Sequence, residues 1–256
     1  MPPSPPPVPR QDPAIAGDID RPRRAWLRRL LAAAGIVGMG WGGGRRSLAM
    51  SSDMTPAAPA PPPMMPLPAS MLHQCKGLVQ INGVTAERGA PVAPGDVIST
   101  GPDGEAVFVV GDDGFLLRPG SQVTIADRPS DQSPGGRMRE LTLTSGRILS
   151  VFGPKQISLK TPLASVSIRG TAAYLESDTA AMNVCVCYGH AVMTPNGAPG
   201  LSEEVENHHH ETPRIVFPGP HGPVMEAIRV QNHTDAELVM LESLFGRLPP
   251  FVPKPQ

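Results

Sequence analysis

A run of short apolar segments separated by turn residues begins near Lys76 and constrains the fold more than any other feature. Within these segments apolar and polar residues tend to alternate, and Gly, Asp or Pro follow, as at 111–114 and 119–120. Alternation with a period of two is typical of half-buried strands, and these three residues favour turns. Because no segment with helical periodicity interrupts the run, a parallel sheet built from βαβ units is not expected. The sequence therefore predicts an all-β domain, with strands at 78–82, 105–110, 115–118, 122–126, 140–144, 147–152, 156–160 and 166–168.

Proline-rich segments near the N-terminal end are not expected to fold. The chain of 256 residues contains 33 Pro, and many of them lie before residue 70. Such segments bury too little apolar surface to offset the conformational entropy that is lost on ordering. We therefore expect a disordered tail at 1–20 and a Pro/Ala/Met-rich linker at 50–72. The net charge of −1 gives no indication of a nucleic-acid partner, and none is expected.

The segment 21–49 has the parts of an export signal in order. Arg23 and Arg24 come first, an apolar run occupies 30–41, and small residues at 47–49 fit a cleavage site. The apolar run is shorter than the roughly 20 residues that a membrane-spanning helix needs. Paired Arg before such a run resembles a twin-arginine signal. The expected location is thus the periplasm or the exterior. The alternative is an inner-membrane protein that contacts the membrane only through this segment, left uncleaved.

The β segments also carry motifs that resemble the FecR domain, a family named for a periplasmic regulator of ferric-citrate uptake. The resemblance covers about residues 75–195, and its most specific part is TPLASVSIRGT at 161–171. Within that part, a Pro ends one strand and a Gly permits a turn or a close backbone approach. The other matching motifs are Gly77-x-Val79, Gly95-Asp96-x-Ile98-x-Thr100, Gly104-x-Ala106 and Leu141-x-Leu143-x-Ser145-Gly146-Arg147.

The resemblance implies a twisted, solenoid-like all-β domain, which we place at 73–195, and a β-sandwich is the alternative. It also implies an exported module that senses or binds at the cell envelope, with envelope transport or signalling proteins as partners. The family's regulator carries a cytoplasmic anti-sigma region and a membrane helix. Because the Pro-rich segment before Arg21 leaves no room for an anti-sigma region, we expect an exported module rather than a transmembrane regulator of a sigma factor.

Arg169 lies inside the most specific motif, between Ile168 and Gly170. A guanidinium at such a strand end can bind a carboxylate ligand through two parallel hydrogen bonds. More commonly an Arg in this position satisfies turn carbonyls or pairs with a nearby acidic side chain. The sequence favours the structural role for Arg169 and leaves ligand binding as the alternative.

Two cysteines, Cys185 and Cys187, are separated by one residue in a segment whose pattern predicts a strand. Residues i and i+2 of a strand share a face, with their β-carbons roughly 6.6 Å apart. A disulfide needs β-carbons about 4 Å apart, so the two are not expected to bond to each other. Both sulfurs can nevertheless reach one metal ion. A disulfide from one of them to Cys75, and two inert buried thiols, are the alternatives.

Imidazoles that could complete a metal site follow downstream. A run of three His includes His209 and His210, and His233 stands in front of a predicted helix. Thiols and imidazoles together suit a transition metal such as zinc, copper or iron. The predicted ligands are Cys185, Cys187, His209 and His210, with His233 in reserve, although the spacing matches no standard zinc finger. Because consecutive residues point to opposite sides, His209 and His210 can both bind only if the backbone is irregular there. A solvated His-rich loop is the alternative.

The C-terminal extension, 196–256, is predicted to contain this His-rich loop and a helix at 234–245. Thr234 and Glu237 have the spacing of a capping box, in which each side chain accepts a hydrogen bond from an exposed backbone amide. A short helix is marginal without tertiary contacts, so we expect it to pack on the β domain. Its apolar residues fall on one face: Leu238, Leu241, Leu244 and Phe245.

The sequence contains no recognisable catalytic motif. A Ser nucleophile elbow with its His and Asp partners, a Gly-rich phosphate loop before a helix and a paired-carboxylate motif are all missing from it. We therefore expect a protein that is not an enzyme. Three functions remain open: a FecR-like module that senses or binds at the envelope, a metal-binding or redox protein centred on the Cys/His cluster, and a structural envelope scaffold.

Overall fold

The computed structural model describes residues 69–130 and 136–253. Within these ranges the alternating apolar segments form strands, and one short helix follows near the C-terminus, so the predicted all-β class is confirmed. The predicted tail at 1–20, the export signal at 21–49 with Arg23 and Arg24, and most of the linker at 50–72 lie outside the described residues. Across the described ranges, we find no helix with the length and apolar character needed to cross a membrane.

The described residues contain fourteen strands, one 3-10 turn and one α-helix. The bounds are β1 Leu72–Lys76, β2 Val79–Ile81, β3 Val84–Thr85, β4 Val97–Thr100, β5 Glu105–Val110, β6 Asp113–Leu117, β7 Gln122–Pro129, β8 Arg137–Val151, β9 Gln156–Lys160, β10 Ala164–Ser177, β11 Met182–Pro195, the 3-10 turn Pro199–Leu201, β12 Glu203–Asn207, β13 Arg214–Gly219, β14 Gly222–Ala227 and α1 Asp235–Ser243.

Most strands pair with neighbours that lie close by in the chain. The main path of the sheet runs β14-β13-β11-β10-β9-β8-β7-β4-β2-β3, while β1, β5 and β6 form a branch that joins β8 through β6. All described pairings are antiparallel except that between β8 and β9. The longest pairing joins β10 to β11, and this hairpin carries the residues considered below.

Strand β8 runs through a position where the sequence predicted a break between two strands. Gly146 lies within β8 and has a φ of +96°, which an L side chain rarely adopts. A β-carbon there would lie 2.2 Å from the hydroxyl of Ser121, so the site also requires a residue without a side chain. The glycine lets one strand serve two sets of partners, since the first part of β8 pairs with β7 and the last part with β6 and β10.

The sheet continues beyond Pro195, where the sequence placed the end of the β domain. Strand β12 pairs with the second half of β11, and β13 pairs with its first residues. Strand β14 then pairs with β13 to form the end of the main path. Much of the predicted C-terminal extension is therefore hydrogen-bonded to the same sheet as the residues before it.

The strands separate two groups of buried side chains, which we call cluster one and cluster two. Cluster one is the larger and includes Leu72, Phe108, Phe115, Ile125, Leu143 and Ile168. Cluster two lies under the helix and includes Leu149, Val151, Tyr174, Cys185, Cys187 and Leu241. Along β11, Val184 and Val186 belong to cluster one, because alternate residues of a strand face opposite sides.

Helix α1 begins after Thr234 and ends at Ser243, close to the predicted span. Its N-terminus has the predicted capping box, in which Thr234 and Glu237 each accept a backbone hydrogen bond. Leu238 and Leu241 are fully buried in cluster two, so the helix packs on the sheet.

A buried ion network links β6, β7 and β8. The guanidinium of Arg139 lies 3.1 Å from the carboxylate of Asp113 and 2.7 Å from that of Asp127. Asp113 is fully buried, and it also accepts a hydrogen bond from the backbone amide of Gly153 and contacts Lys155. Burial raises the pKa of Asp113 to about 6, although Arg139 and the Gly153 amide pull it in the opposite direction.

Candidate metal centre

The two thiols of β11 lie on the same side of the sheet. Cys185 and Cys187 are both buried in cluster two, as their spacing in an extended strand predicts. The register with β10 shifts at this point: Ala172 opposes Tyr188 and Ala173 opposes Val186, so Cys187 has no direct partner. This is a β-bulge, a feature that redirects side chains and is over-represented at functional sites.

Two imidazoles reach the thiols from segments that are distant in the chain. His210 follows β12, and His233 directly precedes the capping residue of α1. His210 has a φ of +58° and Asn232, just before His233, has a φ of +62°. Both values lie in the left-handed region, which is uncommon for residues other than Gly and is often found at functional sites. The irregular backbone turns each imidazole toward the sheet.

Four potential ligand atoms converge at this point. One atom from each of Cys185, Cys187, His210 and His233 lies within 4.8 Å of the others. The sulfur of Cys185 is 3.3 Å from Nδ1 of His210, and that same nitrogen is 3.2 Å from Nε2 of His233. Cys185 and His233 are almost completely buried, and His210 is mostly so. We call these four side chains the Cys2His2 cluster.

The outer nitrogen of each imidazole already has a hydrogen-bond acceptor. Nδ1 of His233 is 2.8 Å from the carbonyl oxygen of Gln231, and Nε2 of His210 is 3.1 Å from the carboxylate of Asp235. Because these oxygens can only accept, the outer nitrogens carry the protons. In the neutral rings, the inner nitrogens therefore direct their lone pairs at each other and at the sulfurs.

Aromatic packing holds the ring of His233 in place. The ring of Tyr174 stacks on it with centroids 4.6 Å apart and an interplanar angle of 13°. The backbone amide of the same tyrosine also lowers the pKa of the Cys187 thiol, against the larger effect of burial. Tyr174 thus packs on one side chain of the site and affects the ionisation of another. Such supporting contacts are typical of ligands that must keep a fixed orientation.

The two thiols have opposite tendencies to ionise. The hydrogen bond from Cys187 lowers the pKa of the Cys185 thiol, against the effect of burial, and His210 and His233 lower it further. Burial raises the pKa of Cys187, and the neighbouring Cys185 raises it again. One of the two thiols therefore ionises readily, whereas ionisation of the second costs free energy. A bound cation would remove that cost, because metal coordination deprotonates thiols.

Asp235 and Cys185 bring charge to opposite sides of His210. Burial works against a charged imidazole, but the thiolate and the carboxylate outweigh it and raise the pKa of His210. Burial alone would raise the pKa of Asp235, whereas hydrogen bonds from His209 and His210 lower it below the usual range. The carboxylate therefore stays ionised and keeps the proton of His210 on the outer nitrogen.

His209, a predicted ligand, does not join the cluster. Its side chain is 48% exposed, its Nε2 lies 2.9 Å from Asp235, and its ring packs on Phe251 with centroids 4.4 Å apart. With His210 and Asp235 it forms a second, more exposed group of potential ligands. The structure thus brings together four of the five predicted ligands and places His209 outside them.

Cys185, His210 and Asp235 also form a thiol–imidazole–carboxylate line, the order found in cysteine nucleophiles with a base. The hydrogen bonds of His210 to Cys185 and Asp235 have lengths of 3.3 and 3.1 Å. However, Cys185 is only 3% exposed, so a substrate cannot reach its sulfur while α1 is docked. The geometry is better suited to holding a buried ion than to attacking a substrate.

The remaining candidates from the sequence lie elsewhere. Cys75 is a free thiol on β1 that packs against cluster one, so the disulfide alternative is not realised in this structure. Arg169 is exposed on β10 and opposes His190 in the register with β11. With His190 and Glu204 it lines a surface cavity of about 280 Å³. Arg169 therefore does not contribute to the Cys2His2 cluster.

Sequence reasoning did not identify Asp235 or Tyr174 as parts of the site. Asp235 is the first residue of α1 and stands two positions after His233, so an acidic residue beside a candidate ligand was an available signal. Tyr174 lies on β10, and its stacking on His233 depends on a contact across 59 residues of chain. No local pattern indicates a contact of that kind.

Comparison with known proteins yields only distant similarity. No family model matches the chain, and no curated protein matches it. Two crystal structures of "a putative anti-sigma factor from Parabacteroides distasonis ATCC 8503" are similar to it, with TM-scores of 0.42 and 0.41 and 15% identity. Each similarity covers 56% of this chain and 64% of the other, so the match spans less than two thirds of those proteins. The resemblance to the FecR domain stays a prediction.

Proposed function

We propose that this protein is an exported, non-enzymatic module that binds one transition-metal ion through Cys185, Cys187, His210 and His233. Zn²⁺ is the first candidate for this ion. The observation that carries the proposal is the convergence of two sulfurs and two inward-facing imidazole nitrogens in one buried pocket. Metal binding there would serve a sensing or binding role at the cell envelope.

The distances between the donor atoms support a tetrahedral ion. With Zn–N bonds of about 2.0–2.1 Å, tetrahedral geometry places two ligating nitrogens about 3.3 Å apart. The inner nitrogens of His210 and His233 are 3.2 Å apart. With both rings neutral, these two nitrogens carry lone pairs, and a cation between them would bond to both.

The composition and burial of the site favour a holding role over a catalytic one. Two thiolates and two imidazoles form a complete set of four ligands, which is typical of structural zinc sites, whereas catalytic sites keep one position open. Copper and iron also accept this donor set. The pocket is closed by α1, and Cys185 is almost inaccessible. These features support a protein that is not an enzyme.

The proposed location and partners are based on features of the sequence. Arg23 and Arg24 with the apolar run behind them support export, and the resemblance to the FecR domain supports a role beside envelope transport or signalling proteins. A twin-arginine route is expected to carry folded proteins, so the metal could be loaded while the thiols are reduced. A structural envelope scaffold is the alternative if no metal binds.

A zinc titration of the full chain, made without a His tag, tests the proposal. Competition with a chromophoric chelator should show a single equivalent of Zn²⁺ bound by the wild type and none by the Cys185→Ser/Cys187→Ser double variant. Cys75→Ser is the matched control, because it removes the third thiol from a different cluster, and it should bind like the wild type. Binding well below one equivalent by a folded wild type, or equal binding by the double variant, would overturn the proposal.

Alkylation of the same samples gives a second readout that does not depend on the chelator. At a urea concentration that lets α1 open transiently, zinc should slow the alkylation of Cys185 and Cys187 by iodoacetamide, since a metal-bound thiolate is a weaker nucleophile than a free one. Cys75 is partly exposed and should react equally with and without zinc. Equal labelling of Cys185 with and without zinc would contradict coordination by that sulfur.

A further inference from the structure

On the basis of the proposed metal site, we propose that the bound ion fastens the C-terminal segment over cluster two, so that metal occupancy controls whether this segment is docked. The docked segment is residues 231–251, which contains His233, helix α1 and Phe251. The inference names the regulation of the site, and it concerns this chain's own segment as the occupant of the apolar face.

The ligands come from three separate parts of the chain. Cys185 and Cys187 are fixed within β11, and His210 follows β12, which also pairs with β11. His210 is further held by a backbone hydrogen bond of 3.0 Å from its amide to the carbonyl of Cys187. Only His233 belongs to the docked segment. A metal bond to its Nε2 therefore joins the segment to the sheet at one point, directly before the helix begins.

The helix is too short to be stable without these tertiary contacts. It has nine residues, whereas isolated helices below about 12–15 residues are marginal in water. Two leucines, Leu238 and Leu241, supply its fully buried apolar contacts with cluster two. The order of α1 therefore depends on docking, and any bond that favours docking also favours the helix.

Polar contacts hold the helix at both ends and also where the segment approaches the cluster. Glu237 pairs with Arg118 at 2.5 Å, and the hydroxyl of Tyr188 donates to Glu242 at 2.5 Å. His233 precedes both acidic residues, and its ring is held by the Gln231 carbonyl and by stacking on Tyr174. The metal would add a bond at the N-terminal end of the segment, where the chain enters the pocket.

Metal binding and docking are thermodynamically linked. A segment that leaves the sheet removes His233 from the pocket and leaves three ligands, so the ion binds the docked state more tightly. By reciprocity, the ion must favour the docked state by the same factor. Release of the segment exposes apolar side chains of the sheet, among them Leu116, Leu149 and Val151. The metal-free chain would thus present a face that the metal-loaded chain covers.

Hydrogen exchange of the full chain with and without Zn²⁺ tests the inference. Exchange of the α1 amides should slow about tenfold or more on zinc addition, a coupling typical of linked sites. Amides of β7, Gln122–Pro129, lie in another part of the sheet and should change little. Bound zinc with unchanged exchange in α1 would overturn this inference and leave the proposed function intact. Equal slowing in α1 and β7 would also overturn it, because the ion would then stabilise the whole fold.

A substitution that touches no ligand tests the reciprocal effect. Leu241→Ala weakens docking and should lower the zinc affinity about tenfold by linkage, although Leu241 is not one of the four ligands. Leu143→Ala is the matched control, since it removes the same fully buried side chain from cluster one. An unchanged zinc affinity in folded Leu241→Ala, or an equal loss in both variants, would overturn the inference. Absence of zinc binding in the wild type would instead overturn the proposed function.

Discussion

Two neighbouring histidines show how strongly one backbone angle affects the chemistry of a residue. His210 has a positive φ and turns its ring inward, where Nδ1 lies 3.3 Å from the sulfur of Cys185. His209 points outward and shares Asp235 with His210. The two rings have the same chemistry and nearly the same position in the chain. Substituting each histidine in turn therefore tests which imidazole binds the metal ion.

His210→Ala should lower the affinity for Zn²⁺ about 100-fold or more, whereas His209→Ala should lower it no more than about tenfold. The larger loss follows because one of four ligands is removed from a site whose total binding energy is about 10–16 kcal/mol. The smaller one follows because His209 acts only through Asp235, as an outer contact. Chelator competition on both variants measures the difference. Similar losses in the two variants would show that the inward orientation of His210 has no bearing on binding.

At the scale of elements, the stability of α1 depends on the hydrogen bonds of its first turn. The hydroxyl of Thr234 accepts a hydrogen bond from the amide of Glu237, and the carboxylate of Glu237 accepts one from the amide of Thr234. Asp235 adds a second negative charge to this first turn, where the helix dipole favours it. The capping box was predicted from four residues of sequence, because it depends only on local spacing.

Thr234→Ala should destabilise α1 by about 1 kcal/mol, which corresponds to roughly fivefold faster exchange of the helix amides. The variant loses the acceptor for the Glu237 amide but keeps every contact of the buried face. Thr234→Ser is the control, since it preserves the capping hydroxyl and should exchange like the wild type. The comparison is made by hydrogen exchange in the presence of saturating Zn²⁺. Equal exchange in the Ala and Ser variants would mean that the cap does not limit the stability of the helix.

At the scale of the whole molecule, the ion network around Asp113 links strands that are far apart in the chain. Its carboxylate contacts Arg139 on β8 and Lys155 between β8 and β9, and it accepts the amide of Gly153. The side chain is fully buried, and burial raises its pKa to about 6. Because an unfolded Asp ionises near pH 4, the folded state binds an extra proton between about pH 4 and 6.

The free energy of unfolding should therefore depend on pH through the ionisation of Asp113. A folded pKa above the unfolded value means that its contribution is full below about pH 4 and is lost as the pH rises through about 6. Relative to Asp113→Asn, the wild type should lose roughly 2–3 kcal/mol of unfolding free energy over this range. Urea unfolding at pH 4, 5, 6 and 7 measures the difference between the two proteins.

Asp103→Asn, at an exposed turn, is the control for this series and should follow the wild type at every pH. A constant difference between the wild type and Asp113→Asn would mean that Asp113 ionises in the fold as it does in the unfolded chain. A wild type that gains stability relative to Asp113→Asn as the pH rises would have the opposite sign from the one expected, and would show that Arg139 and Lys155 outweigh burial.

Local patterns determined the fold class and parts of the site. The period-two segments predicted the all-β fold, and Thr234 with Glu237 predicted the start of α1. The spacing of Cys185 and Cys187 also placed both thiols on one face. Each of these conclusions depends on residues a few positions apart, where backbone geometry restricts the arrangements that are possible.

Only the tertiary structure decided how the segments meet. Continuation of β8 through Gly146 depends on its close approach to Ser121, and the inward turn of His210 depends on a left-handed backbone that no local pattern indicated. The stacking of Tyr174 on His233 joins residues that are far apart in the chain. Such contacts are set by the packing of the whole sheet and helix, so the sequence by itself suggested a set of donor residues, and the fold selected four of them.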